Sequence, residues 1–429
     1  MGCFAAFWLK TLEPSLRVVV AERDPTYRTA STALSAGGIR SQFSLRENIQ
    51  LSLASFDFIK EGYAALAPAP HGGAAGEGAG GEAAASSDPA AWRDGPARVG
   101  LREEGYLILA DKASSAQVLR DNHRLQASQG AAIALHSRDE LARELPFLTS
   151  ADVSLAALGR AKEGWLDPYT LLRDVRAKAA QLGVRFAHAS VVALELSDGR
   201  VEAAVLECEA AGRAPVRERE RVSCGHLLNA AGAWSGAVAR MAGVELPVEP
   251  RVRSVFAVHC AALESVLRCP LVIDPSGVYF RPDGRPGSGK FICGLSPPEE
   301  QDAPLAAHSV ADVAHALAGA ADRRFFEEHI WPVLARRVPA MEELKLAGSW
   351  AGCYDFNALD FNGVVGPHSE LRNLHFITGF SGHGLQMAPA AGRAAAEHIL
   401  FGRFRTIDVS AFGWDRVAAG RKYLERNIF

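Results

Sequence analysis

The chain lacks the marks of several large protein classes. Its seven cysteines, at positions 3, 208, 224, 260, 269, 293 and 353, form no Cys-x-x-Cys and no paired spacing with histidine. That argues against a zinc site or a disulfide framework, and for a reducing compartment. No metal is expected. Charge of one sign is missing too: 46 basic against 49 acidic side chains leave −3, so nothing calls for nucleic acid or forms an acidic tail. No apolar run approaches the ~18 residues of a membrane span. No cationic segment precedes an apolar core at the start, so no secretory leader is read there.

What remains is globular. Of 429 residues, 48% are hydrophobic and 22% charged, enough to bury a large core in two or three domains of ~150 residues. Gly2 to Leu12 reads as an apolar helix, Glu13-Pro14-Ser15 as a turn, and Leu16 to Glu22 as a buried strand. This is the second half of a βαβ unit, whose first strand and glycine loop are expected upstream of residue 1. Residues 68–97 differ in kind: 21 of the 30 are Ala, Gly or Pro, which predicts a disordered insertion. A strand is expected at 104–110, helices at 114–129 and 138–145, and a helix from 169 to 182 capped by Asp167 with Pro168 at its first position. Strands follow at 184–188, 190–196, 201–207 and 227–231, short strands through 250–300, and a small-residue helix from Met387 to Phe401. Interleaved α/β segments and antiparallel-looking strands predict two domains built from non-contiguous pieces.

Several stretches carry chemistry. Glu22 ends an apolar strand about 20 residues after Gly2, where an acid accepts hydrogen bonds from a nucleotide ribose. A surface charge is the alternative, and Asp24 is the neighbouring candidate. In Ala30 to Gln42, Ser31, Thr32 and the paired Gly37 and Gly38 offer donors and close backbone approach to a phosphate. Arg40 has the planar fork that clamps a carboxylate. Asn229 to Ser235, with Ala231, Gly232 and Trp234, would let a flat cofactor lie against backbone, or would simply make a tight turn. Gly379 to Gly392 places Gly382, Gly384 and Leu385 at a helix start, where free N–H groups and the helix dipole favour electron-rich atoms. His383 beside them reads either as a loop-fixing hydrogen-bonding residue or as a general base. Tyr354, Asp360 and Tyr279 are candidates to face the site, and core packing is the alternative for each. Cys353 is a candidate for a covalent cofactor link.

The order of these motifs resembles the D-amino-acid oxidase and sarcosine oxidase family of flavoproteins nearly end to end. The resemblance implies an α/β protein, α+β overall, with a Rossmann-type FAD-binding domain over 1–62, 160–248 and 346–429. A mixed or antiparallel-sheet substrate domain would span 98–159 and 249–345. It implies oxidation of a C–N bond in a small-molecule amine or amino acid by hydride transfer to FAD. Gly2, Glu22, Ser31, Thr32, Gly37, Gly38, Ala231, Gly232, Trp234, Gly382, Gly384 and Leu385 would contact the cofactor. Arg40, Tyr354, His383 and Gln386 would face the substrate. The segments EGWLDP, LPVEPR, NGVVGPH and GFSGHGLQ further resemble a vertebrate mitochondrial member linked to assembly of respiratory complex I. From it follow the expectations of a matrix-side location, peripheral association with the inner membrane, and complex I subunits or assembly factors as partners. The chain departs from the family in places. Only Gly2 matches the Gly-x-Gly-x-x-Gly loop, so a truncated start that removes a presequence is expected. Gln386 stands where sarcosine oxidases carry a lysine. The flavin-linking cysteine aligns at Gly352 and the linking histidine near Leu34, so FAD is expected to be non-covalent. A scaffold without turnover, or a chain unable to fold stably alone, are the rival readings.

Overall fold

The computed structural model describes residues 1–67, 94–209, 217–307 and 309–427. The opening apolar segment is helix α1 (Gly2–Leu12). It is apolar around most of its circumference and is therefore buried on several sides. It lies against α2 (Pro168–Gln181) and α3 (Gly384–Phe401). Trp8 Nε1 donates to the Pro389 carbonyl at 2.8 Å. Gly392 permits the close crossing, since a Cβ there would stand 2.7 Å from Phe4 Cβ and 2.9 Å from the Ala5 nitrogen. Asp167 caps α2 as expected, accepting from Tyr169 N at 3.0 Å and Thr170 Oγ1 at 2.6 Å, with Pro168 in the first turn.

Four sheets form. In the first, β1 (Val19–Glu22) runs parallel to β7 (Arg185–Ser197), which continues antiparallel into β8 (Arg200–Glu209) and β9 (Arg217–Ser223). In the second, β10 (Leu227–Asn229) runs parallel to β17 (Leu374–Thr378), which pairs antiparallel with β16 (Val364–Pro367). Every residue of β17 is buried, as in a sheet covered on both faces. The largest sheet has eight strands. Their order is β15 (Lys345–Asn357), β11 (Val248–His259), β14 (Lys290–Gly294), β13 (Tyr279–Pro282), β12 (Leu271–Ile273), β3 (Tyr106–Ala110), β5 (Leu155–Gly159) and β4 (Ile133–His136). Its pairs are antiparallel except β12 with β3. A short ladder joins β2 (Gly38–Ile39) to β6 (Gly164–Trp165). This is the expected α/β part with parallel strands and flanking helices, joined to a mixed and mainly antiparallel sheet. Among the described residues, β1 and β10 are each the outermost strand of their sheets.

Some expectations shift. Residues 68–93 of the segment read as an insertion lie outside the described residues. Its last part, 94–97, is instead ordered: Asp94 accepts from Ala97 N and caps a helix at Gly95–Arg98. That helix is anchored because Arg98 and Tyr63 both donate to the buried Asp174 carboxylate. The domain boundary expected at 346 falls at the start of β15, which pairs along its length with β11 and so lies in the eight-stranded sheet. The strands read at 184–188 and 190–196 are one strand with two irregularities, since no glycine or proline interrupts residues 185–197. Strand β9 was not anticipated. Its sequence RERERVS has no apolar run, as suits an edge strand, and Arg221 pairs with Glu195 across the sheet at 2.7 Å.

Candidate cofactor and substrate site

A cavity of about 1770 Å³ opens between these sheets, larger than the ~300–1,000 Å³ of a drug-sized site. Its walls include β1 and β10, the N-termini of α1 and α3, the 29–40 loop, and inward-facing residues of β12, β13 and β15. Gly2, Glu22, Ser31, Thr32, Gly38, Arg40, Ala231, Gly232, Trp234, Tyr354, Gly382, His383, Gly384, Leu385 and Gln386 all line it. Residues from five distant stretches of sequence thus meet at one space. Gly37 stands just behind, where its carbonyl accepts from Leu166 N at 3.0 Å.

At one end the chemistry suits a nucleotide. Burial pushes the Glu22 carboxyl up, and its Oε1 accepts from Asp24 N at 2.9 Å. Asp24, the rival candidate, is committed to a turn, accepting from Thr26 N at 3.0 Å and Thr29 Oγ1 at 3.2 Å. Arg23 stacks over the Trp234 ring at 3.8 Å, a cation–π contact that shapes this wall. The Ser31 hydroxyl donates to the Cys353 carbonyl at 2.5 Å. It therefore ties the 29–35 turn to β15, while Thr32 stays on the cavity wall. The N-termini of α1 and α3 both open here without a side-chain cap. First-turn N–H groups have no intrahelical acceptor, and the helix dipole adds positive potential.

At the other end, Arg40 is 6% exposed. Its guanidinium donates to the Gln42 carbonyl at 3.2 Å and the Asn427 carbonyl at 2.6 Å, and lies 4.4 Å from the Phe43 ring centroid. Gln386 faces Arg40 in an unexpected way: its Oε1 accepts from the Arg40 backbone N–H at 2.6 Å. Gln386 therefore fixes the main chain that carries the arginine. Tyr106, Tyr279 and Tyr354 surround this end of the cavity, and burial pushes all three phenols up. Arg253 lies 5.1 Å from the Tyr354 ring centroid while paired with Asp302 at 2.6 Å.

The His383 ring makes no hydrogen bond among the described residues, although both its nitrogens are buried. The loop-fixing role expected for it is therefore not what holds the loop. Asp355 does that, accepting from Gly379 N at 2.8 Å and Phe380 N at 3.1 Å. Burial, and then Arg40, push His383 down to about 3, so its imidazole is neutral near pH 7. Asp360 does not face the cavity. It is fully buried in an ion pair with Arg416 at 2.8 Å. The Cys353 thiol is held up at about 11 by burial, unlike the lowered values of reactive thiols. Beside it, a Cβ on Gly352 would stand 2.9 Å from Leu34 Cβ.

These features fit FAD. Orphaned imidazole nitrogens, two uncapped helix starts and an acid at the end of β1 await a large, partly anionic ligand. Gly382 leaves room where any Cβ would overlap the Tyr354 ring. Sequence reasoning missed Asp355, Arg253, Tyr106 and Glu163, a buried carboxylate bonded to Ser41 and Gln42. An acid inside the apolar EGWL stretch was the one signal for Glu163.

The family model for FAD dependent oxidoreductases matches residues 1–398. The chain belongs to that family, and its cofactor is FAD. It is 40% identical over 452 residues to the FAD-dependent oxidoreductase domain-containing protein 1 of Xenopus laevis, covering all of this chain and 83% of the relative. A more distant relative, the mitochondrial sarcosine dehydrogenase of Homo sapiens, is 27% identical over 41% of this chain and 18% of its own length. The fold is similar to that of L-proline dehydrogenase from P. horikoshii, with a TM-score of 0.73 and 19% identity over 98% of this chain and 96% of that one.

Proposed function

We propose that the chain binds FAD without a covalent link and oxidises a C–N bond in an amine or amino acid that carries a carboxylate. Arg40 carries this reading: a buried guanidinium, fixed from behind by two carbonyls, set in the wall of a cavity whose other end suits a nucleotide. Bound FAD supplies a two-electron acceptor. Arg40 would hold the substrate carboxylate in a charge-assisted pair. Tyr106, Tyr279 and Tyr354 would enclose the amine and keep water from it. The neutral His383 ring would offer one donor and one acceptor to cofactor or substrate. Glu22 would take the ribose, with the uncapped starts of α1 and α3 toward the anionic and electron-rich parts of the cofactor.

The test is Arg40→Ala in the full chain loaded with FAD. Flavin content should persist, while methoxyacetate, an unreactive isostere of an N-methyl amino acid, should no longer perturb the flavin spectrum. A perturbation that survives the change refutes the role given to Arg40.

The proposal extends to a mitochondrial setting and support of respiratory complex I assembly, as the resemblance implies. The mitochondrial sarcosine dehydrogenase among the relatives supports the location. No helix among the described residues is long and apolar enough to cross a membrane. Gln386 favours a second reading, a flavin-domain scaffold without turnover, because its side chain is spent on the Arg40 backbone. Rescue of complex I in deficient cells by a variant that binds FAD but not methoxyacetate would select the scaffold.

A further inference from the structure

Glu163 is a fully buried carboxylate that stands behind the cavity wall. It immediately precedes β6, which pairs with β2, the strand that delivers Arg40. Glu163 Oε1 accepts from Ser41 N at 2.7 Å and Ser41 Oγ at 2.8 Å, and Oε2 accepts from Gln42 Nε2 at 2.8 Å. Gln42 in turn presents its carbonyl to the Arg40 guanidinium and donates to the Tyr106 carbonyl at 2.9 Å. A short chain of hydrogen bonds therefore runs from Glu163 through the 41–42 turn to the arginine head. Gly159 on β5 closes the remaining side, where a Cβ would overlap the carboxylate.

A purely structural clamp would not need a charge here, since burying a carboxylate is expensive and a neutral amide can also accept from Ser41. The groups that face Glu163 are Arg40 at the end of β2, Tyr106 on β3, and the neutral donors Ser41 and Gln42. Its charge is therefore set against that of Arg40.

We propose that Glu163 is the positioning residue and counter-charge of Arg40: it fixes the turn that aims the guanidinium, and it takes up one proton from solvent when a carboxylate docks there. This rests on the reading that Arg40 receives a carboxylate. Burial raises the Glu163 carboxyl to about 7, against the pull of its three hydrogen bonds and of Arg40. Its neighbours do not titrate in that range. Burial pushes the Tyr106 and Tyr354 phenols up, and His383 is held down at about 3. A docked anion repels the ionised form, so binding and protonation favour one another. Affinity for the anion then rises as pH falls through the neutral range, with a limit of about tenfold per pH unit.

The experiment uses the full chain with FAD, wild type and Glu163→Gln, and methoxyacetate as the probe. Infrared difference spectra should contain a carboxylic-acid band that titrates near pH 7, is missing in E163Q, and shifts its midpoint upward with methoxyacetate. Calorimetry in two buffers of different ionisation enthalpy should give net proton uptake on methoxyacetate binding, about half a proton at the free midpoint and approaching one at a pH well above it but below the bound midpoint. E163Q should bind with an affinity that no longer depends on pH. Binding to wild type without pH dependence or proton uptake overturns the inference and leaves the role of Arg40 standing. No binding to wild type at any pH overturns both. Should E163Q fail to fold, the wild-type infrared midpoint with and without methoxyacetate decides, and an unmoved midpoint refutes the proposal.

Discussion

Replacing Gly382 with alanine tests whether the loop before α3 is built around the cavity. Two separate penalties apply. Gly382 has φ +95°, a region that costs a residue with a side chain roughly 1–3 kcal/mol. The new methyl would also overlap the Tyr354 ring, and forcing extra volume against a packed group costs roughly 1–3 kcal/mol. The sum, roughly 2–6 kcal/mol, is a large share of the ~5–15 kcal/mol by which domains are stable. The terms can be separated. Gly130 has φ +84° with nothing within 4 Å of an added Cβ, so Gly130→Ala should meet only the backbone penalty. In a Tyr354→Ala background, G382A should likewise fall to roughly 1–3 kcal/mol. Urea titrations of the four variants give the energies, and flavin absorbance after gel filtration gives cofactor retention. G382A should lose FAD more readily than G130A, because displacing Tyr354 alters the cavity wall. If G382A costs no more than G130A, or its cost is unchanged when Tyr354 is removed, the close packing of loop and ring is wrong.

Two further outcomes follow from buried charge. Arg416 donates to both oxygens of Asp360 and to the carbonyls of Phe412, Asn362 and Gly363; Arg416→Ala strands a carboxylate with no exposure and should destabilise by about 3–5 kcal/mol in urea titration. His383 titrates near 3 when folded against a reference of 6.5. Between those values the unfolded chain holds the extra proton, so stability is complete above about pH 6.5 and declines as pH falls, by up to about 1.4 kcal/mol per pH unit. Urea midpoints at pH 7 and pH 5 should differ less in His383→Phe than in wild type, and an unchanged difference would count against the buried neutral imidazole.

The elements that could be read from the sequence were those with local causes. Helix α1 is mostly apolar, α2 carries Asp167-Pro168 at its start, and β3 is a run of apolar, buried residues. Each is dictated by a neighbourhood of a few residues. Strand β9 was missed because its pairing partner, not its own hydrophobicity, makes it a strand. The end of the Ala-Gly-Pro segment was misread because the order of residues 94–98 comes from Asp174, far along the chain. Strand β15 reads the same on either side of the boundary expected at 346, and its ladder with β11 is visible only in the fold.

The site divides along the same line. Glu22, the glycines and Arg40 could be proposed from sequence because a residue type at a strand end or helix start has a chemical consequence wherever it occurs. The partners of Arg40 could not. Glu163, Gln386 and Asn427 act on it, or on its neighbour Gln42, from stretches that converge only after folding, and nothing local pairs any of them with the arginine. That difference bears on Gln386. Judged by alignment, it is a lysine lost and a weaker site. Judged by geometry, its amide satisfies the buried Arg40 N–H, and a lysine has no acceptor to replace it. Restoring the lysine would leave that N–H unpaired, at about 1–3 kcal/mol, and set a second cation beside Arg40. Gln386→Lys should therefore lower both stability and affinity for methoxyacetate. Tighter methoxyacetate binding by that variant would mean that the amide holds nothing essential and that the site is a degraded form of the lysine-bearing one.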